Sequence, residues 1–236
     1  VWTVSGTENS GHSCPSLTSK KIRIVGATSI AAENVLVDFQ CLHGSSGNGG
    51  YLHMENIRLQ TDTVDGYAIY TKETIVTMKN VEIEGYSGRT GETGGGALRI
   101  RSADYSGEGH DTSNPSLDNV RVTNCCRGFR PQDSTGIYIK NCQATDVSDN
   151  GYYFASGSYD SSSGCINSTI ESSTAKNCGQ TCFMNIGGSG ITFKNISCDG
   201  SRGAGFYQYN CNSKTTIDGA TFTNANDDFT QTPYGG

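Results

Sequence analysis

A short motif recurs along this chain and limits what it can fold into. Asn or Asp opens an alternating stretch, and a glycine followed by an aromatic or apolar residue comes about ten positions later. Asn56-Ile57-Arg58-Leu59 leads to Gly66-Tyr67-Ala68-Ile69, and Asn80-Val81-Glu82-Ile83 to Gly96-Ala97-Leu98. Asn119-Val120-Arg121-Val122 leads to Gly128-Phe129, and Asn141-Cys142-Gln143-Ala144 to Gly151-Tyr152-Tyr153-Phe154. A degenerate copy pairs Thr169-Ile170-Glu171-Ser172 with Gly179, Asn195-Ile196-Ser197-Cys198 leads to Gly205-Phe206-Tyr207, and Asp218-Gly219-Ala220-Thr221-Phe222 starts a last copy. Asn34 to Phe39 supplies an earlier strand. The starts recur roughly every 22 to 27 residues, with longer gaps where loops intrude.

Within each unit the apolar residues alternate, which is the period of a strand with one buried face. A unit this short cannot bury its own apolar face and must stack on its neighbours. The expectation is a single-domain, all-β, right-handed parallel β-helix over residues 1–236. Residues 1–33 are expected as an N-terminal cap with Cys14 tied to Cys41, 34–224 as stacked rungs and 225–236 as a C-terminal closure. Leucine-rich repeats share the period but need a leucine consensus that this chain lacks, and an antiparallel sandwich would show hairpin turns instead. The Asn positions are expected at turns, in left-handed geometry, bonded to their neighbours up the stack.

Composition narrows the setting. The net charge of −6 argues against nucleic acid as a partner, because phosphate neutralisation needs clustered Lys and Arg. Ten cysteines, even in number and irregular in spacing, point to disulfides in a secreted, extracellular protein. Zinc is not expected, since Cys125-Cys126 and Cys178 to Cys182 lack partners at zinc-finger distances. The sequons at Asn167 and Asn195 would permit glycosylation. No membrane-spanning run occurs, and the chain begins at Val1 as a processed protein would. A monomer without a membrane partner is the expected state.

Stacking puts equivalent residues in columns about 4.8 Å apart. In the strand after the repeat glycine, Tyr67, Ile69, Leu98, Ile100, Phe129, Pro131, Tyr152, Phe154 and Phe206 are expected to point inward. Tyr70, Lys72, Arg99, Arg101, Arg130, Gln132, Tyr153, Tyr207 and Tyr209 then point outward, with Asn185 near the same column. Taken singly, each suits a solvated face with its cations paired to Glu73 or Asp133. Taken together, clustered Arg and Tyr suit an anionic, ring-shaped ligand, because Arg grips carboxylates with paired hydrogen bonds and Tyr packs on sugar rings. The insertion Ser102 to Ser116 follows directly and carries Asp104, Tyr105, Glu108, His110 and Asp111. His110 is its titrating group of interest. Calcium would suit the carboxylates of the loops, although no loop has a recognisable calcium spacing, so the metal is left open.

The organisation resembles the right-handed β-helix polysaccharide-active enzymes: pectate and alginate lyases, mannuronan C5-epimerases and polygalacturonase-type hydrolases. Gly128-Phe129-Arg130-Pro131-Gln132-Asp133, followed by Ile137 to Asn141 and Gly151-Tyr152, is similar to the catalytic rung of the epimerases. Arg130 and Gln132 stand where that family carries its catalytic Asp and His, so the epimerase residues are not matched. The polygalacturonase motifs are missing. Fold does not fix function, so the expectation rests on the basic, tyrosine-bearing face: an enzyme acting on an acidic, uronate-containing polysaccharide, by β-elimination first and C5-epimerisation second. In that chemistry Arg99, Arg101 and Arg130 would neutralise the substrate carboxylate, Lys72 or His110 would serve as base, and Tyr153 would donate a proton. Tyr70, Gln132, Asn185, Tyr207 and Tyr209 would bind the sugar chain. The alternatives are a carbohydrate-binding or structural module without catalysis, and a glycoside hydrolase.

Overall fold

The computed structural model describes residues 20–33, 37–40, 50–60, 66–87, 95–106, 113–157, 164–211 and 213–232. Their regular structure is entirely β. In chain order the strands are β1 (Lys20–Glu33), β2 (Val37–Gln40), β3 (Gly50–Gln60), β4 (Tyr67–Lys72), β5 (Thr74–Glu84) and β6 (Gly96–Arg101). Next come β7 (Leu117–Thr123), β8 (Phe129–Gln132), β9 (Tyr138–Lys140), β10 (Gln143–Thr145), β11 (Tyr152–Phe154) and β12 (Thr169–Glu171). Last are β13 (Thr174–Cys178), β14 (Phe183–Ile186), β15 (Thr192–Lys194), β16 (Ser197–Tyr209), β17 (Thr216–Asp218) and β18 (Thr221–Thr232).

Every pairing is parallel, and the registers sort into three ladders. The first runs through Met78, Leu117, Ile139, Ile170, Phe193 and Ile217. The second runs through Ile83, Val122, Ala144, Ala175, Cys198 and Phe222. The third runs through Ile69, Leu98, Phe129, Tyr152, Phe183 and Phe206. The chain visits them in rotation: β3 and β5 each pass from the first ladder to the second, β4 and β6 lie in the third, and β7 to β15 repeat the cycle.

Asparagine makes the corner between the first and second ladders. Asn56, Asn80, Asn119, Asn141 and Asn195 all have φ between 50° and 55°. Their side chains bond along the stack: the Asn80 amide donates to Asn56 at 3.0 Å and the Asn119 amide to Asn80 at 2.8 Å. Asn141 donates to Asp118 at 2.9 Å. Asn80→Ala removes the side chain in the middle of this run and puts a β-carbon without local hydrogen bonding in the left-handed region. The expected cost is about 1–2 kcal/mol for the backbone and about 0.5–1.5 kcal/mol for the amide bonds. Asn80→Gly should recover the backbone part, as read from urea midpoints.

Two register expectations need correction. The degenerate copy begins at Ser172, whose φ of 50° makes it the equivalent of Asn141, while Thr169–Glu171 belongs to the first ladder. The repeat glycine of that copy is not Gly179 but is replaced by Cys182, the residue before Phe183 in the column of Phe129 and Tyr152. Glycine is needed at Gly128 and Gly151, where the backbone of the next strand lies directly against it, whereas the same register position holds Ala68 and Ala97 in the two earlier copies. A β-carbon on Gly128 would come 2.3 Å from the Gly151 carbonyl oxygen. Strands reach into both terminal segments. Residues 20–33 are a strand paired with β3, and β18 carries the second and third ladders on to Thr232. Cys14 and Cys41 lie outside the described residues.

The inner faces meet in one core. Phe129, Tyr152 and Phe183 stack with ring centroids 4.7 and 4.9 Å apart and planes 9° from parallel. The Tyr152 hydroxyl, buried with them, donates to the Thr174 carbonyl at 3.2 Å. Cysteine behaves differently from the disulfide framework expected of it. Cys182 and Cys198 form a disulfide, whereas Cys125, Cys126, Cys142, Cys165, Cys178 and Cys211 are thiols, all but the last buried. At strand spacing these cysteines fill interior positions as small apolar side chains. Burial pushes the Cys125, Cys142, Cys165 and Cys178 thiols up to about 12. These four should therefore resist alkylation at mildly alkaline pH in the native protein and react after denaturation. Mass mapping of the label checks this, and labelling of any of them in the native state would contradict the placement.

One outward column of the first ladder alternates in sign. Glu55 pairs Lys79, Lys79 pairs Asp118, Asp118 pairs Lys140, Lys140 pairs Glu171, Glu171 pairs Lys194 and Lys194 pairs Asp218. Glu171 lies 3.8 Å from Lys140 and 3.7 Å from Lys194. No helix among the described residues is long and apolar enough to cross a membrane.

Candidate functional site

The third ladder carries the residues singled out by sequence. Its outward column reads Tyr70, Arg99, Arg130, Tyr153, Met184 and Tyr207, the last three following the register Tyr152 to Phe183 to Phe206. A second outward column reads Lys72, Arg101, Gln132, Ala155, Ile186 and Tyr209. Alternation within β4, β6 and β8 puts Ile69, Leu98 and Phe129 in the core and leaves Tyr70, Arg99, Arg130, Lys72 and Arg101 partly exposed, whereas Gln132, Ala155 and Ile186 of the second column are buried, contrary to the outward position expected of Gln132. Tyr70, Lys72, Arg99, Arg101, Arg130, Gln132 and Tyr153 thus occupy four successive strands. Tyr207 and Tyr209 are separated from them by the strand of Met184 and Ile186.

Each central arginine is backed by a tyrosine. The Arg99 guanidinium lies 5.1 Å from the Tyr70 ring centroid, and that of Arg130 lies 5.1 Å from the Tyr153 centroid. Arg99 also donates from Nε and Nη2 to the Gln132 amide oxygen at 3.0 and 2.6 Å. Gln132 is 2% exposed, and its amide nitrogen reaches Asp133 at 3.3 Å. Its role is therefore to hold Arg99 and not to meet a ligand. Among the described residues no carboxylate lies within salt-bridge distance of Arg99, Arg101 or Arg130. Burial lowers the proton affinity of Arg99, and the neighbouring Arg130 guanidinium lowers it further. Adjacent like charges in a half-buried setting favour an anion between them. Lys72 differs, being paired with Glu73 at 3.3 Å. Burial raises the Tyr153 hydroxyl above its ordinary range although Arg130 and Arg127 oppose the shift, so it stays protonated and able to donate.

Several assignments change. Asn185 is fully buried on the inner side of β14 and donates to Thr215 at 3.2 Å, so it is not a ligand-binding residue. Tyr105 of the 102–116 insertion is a core residue, its hydroxyl donating to the Val76 carbonyl at 3.0 Å and accepting from the Val76 N–H at 3.1 Å. It anchors that segment instead of lining a groove. His110 lies outside the described residues, as do Glu108 and Asp111. Tyr67 is 8% exposed but does not join the core cluster. Its hydroxyl accepts from Arg130 at 3.0 Å and from Arg127 at 3.4 Å.

Sequence reading missed Arg127 and Asp149, which form a buried ion pair at 2.7 Å. A signal was present. The two are 22 residues apart, one repeat length, so stacking makes them neighbours. Among the described residues no group of His, Cys, Asp and Glu is arranged to hold a metal ion.

Comparison with known proteins finds no matching family model, no matching curated protein and no matching solved structure. The parallel all-strand architecture is compatible with the β-helix enzymes that the sequence resembles, and no relative identifies a lyase or an epimerase among them.

Proposed function

We propose that the three ladders are the faces of a right-handed parallel β-helix, and that the third face of this secreted protein binds uronate-containing polysaccharide and cleaves it by β-elimination. The observation that carries the reading is the pair Arg99 and Arg130, adjacent in one column, each backed by a tyrosine and neither paired with a carboxylate among the described residues. Guanidinium groups held in this way suit the planar carboxylate of a uronate. Neutralising that carboxylate acidifies the proton at C5, and an electrostatic contribution of this kind is commonly the largest single part of catalysis. A base then takes the C5 proton, the C5 electrons form the C4–C5 double bond, and the C4–O bond breaks. Tyr153, protonated and beside Arg130, supplies the proton for the leaving oxygen. C5-epimerisation shares the first step and differs in returning a proton to C5.

A second reading, binding without turnover, is favoured by one contact: Lys72, the described candidate for the base, is held by Glu73. Hydrolysis is less well supported, because it needs two carboxylates flanking the bond. Of those beside this face, Glu73 pairs Lys72, and Asp133 accepts from the Gly157 N–H at 2.6 Å. Incubation with alginate, pectate and glucuronan, followed by the ultraviolet absorbance of unsaturated uronates, tests the reading. Rising absorbance supports the lyase, and binding without it supports the second reading. Failure to bind any polyuronate overturns both.

A further inference from the structure

Behind the Arg99–Arg130 face lies a run of polar contacts that continues into the turns before the third ladder. Asp149 starts it. Its backbone N–H donates to the Cys126 carbonyl at 2.8 Å, and its carbonyl accepts from the Gln180 N–H at 3.0 Å. Its carboxylate accepts from the Asn150 amide at 2.8 Å and from Arg127 Nε at 2.7 Å. The side chains of Asp149 and Arg127 are 2% and 12% exposed. Arg127 then donates from Nη1 to the Tyr67 hydroxyl oxygen, which also accepts from Arg130 Nη1. Gly96 lets the run close up, since a β-carbon there would sit 2.7 Å from the Arg127 carbonyl oxygen and 2.9 Å from its Cβ.

We propose that Asp149, Arg127 and Tyr67 are positioning residues that fix the Arg130 guanidinium for a ligand carboxylate, a role that rests on reading this face as a polyuronate site. Arg127 adds little attraction of its own, because Asp149 balances its charge. Burial lowers its proton affinity, but Tyr67 and Asp149 outweigh this and raise it, so it remains a fixed cation. Arg130 is held at Nη1 by Tyr67 and supported across its plane by the Tyr153 ring. Its buried Nε has no hydrogen-bond partner, and its Nη2 makes no hydrogen bond among the described residues, so both donors are left for an anion.

Calorimetric titration of the full chain with oligogalacturonate and oligomannuronate tests this against simple charge attraction. Tyr67→Phe changes no charge and keeps the ring. Charge attraction predicts unchanged affinity, whereas positioning predicts a loss of about ten- to a hundred-fold, the scale on which outer-shell partners of metal sites act. Tyr67→Phe should also flatten the salt dependence of binding as Arg130→Ala does, an effect that loss of packing alone would not produce. Asp149→Asn makes the region more positive, so charge attraction predicts tighter binding and positioning predicts weaker binding. Should Asp149→Asn fail to fold, Tyr67→Phe decides alone. Wild-type affinity in Tyr67→Phe, or tighter binding in Asp149→Asn, overturns the positioning role and leaves the reading of the face intact. If the wild-type protein binds neither oligomer, both fall.

Discussion

Arg130→Ala is expected to lower kcat/KM on polyuronate by about 10²–10³, the loss typical of removing one preorganised donor to developing negative charge. Arg130 is central in its column, with Arg99 on one side and Tyr153 on the other, and its guanidinium is fixed by Tyr67. Arg130→Lys keeps the charge but loses the planar fork, so it should recover only part of the rate. Arg99→Ala should act through two routes, by removing a cation and by releasing Gln132 from its two bonds. Steady-state rates and thermal midpoints on the same samples separate these effects from unfolding. A variant lacking Arg130 that retained wild-type turnover would remove the observation on which the proposed chemistry stands.

Tyr152→Ala should give the largest loss of stability, roughly 3–5 kcal/mol, as expected for deleting a buried aromatic ring. Tyr152 is fully buried between Phe129 and Phe183, and its removal opens a gap in a continuous stack. Tyr152→Phe keeps both stacks and loses the bond to Thr174, so about 1 kcal/mol is expected. Urea unfolding followed by near-ultraviolet dichroism measures both. A repeat array couples mainly through nearest neighbours, so the Ala variant should also broaden the transition or split it in two. A single transition with an unchanged midpoint would mean that the stack contributes little.

The strands and the outward columns were legible because two simple periods coincide in this chain. Period two sorts Leu98, Ile100 and Phe129 from Arg99, Arg101 and Arg130, and the repeat puts these strands side by side. The Asn corners were legible because few residue types adopt positive φ. Reading failed where a different residue took the same geometry. Ser172 replaces Asn at a corner and Cys182 replaces Gly before a strand, so the copy between Asn141 and Asn195 was set in the wrong frame. Cysteine was legible in part: Cys182 and Cys198 form a crosslink, while the six other described cysteines use a small apolar side chain that suits interior positions equally well. The support beneath Arg130 was illegible for another reason. Tyr67 and Arg130 are 63 residues apart, and Tyr67 was assigned to the core by alternation alone. Nothing in its local pattern signals that its hydroxyl serves two guanidinium groups.

The alternating column of the first ladder bears on how such a chain can lengthen or shorten. Like charges directly opposite one another on neighbouring strands destabilise the pairing. Excising the single repeat that carries Glu171 would set Lys140 against Lys194, whereas excising it together with the repeat of Lys194 would set Lys140 against Asp218. The column therefore works as a parity rule. Units are lost or duplicated at least electrostatic cost in twos, so the natural unit of growth for this ladder is a pair of repeats.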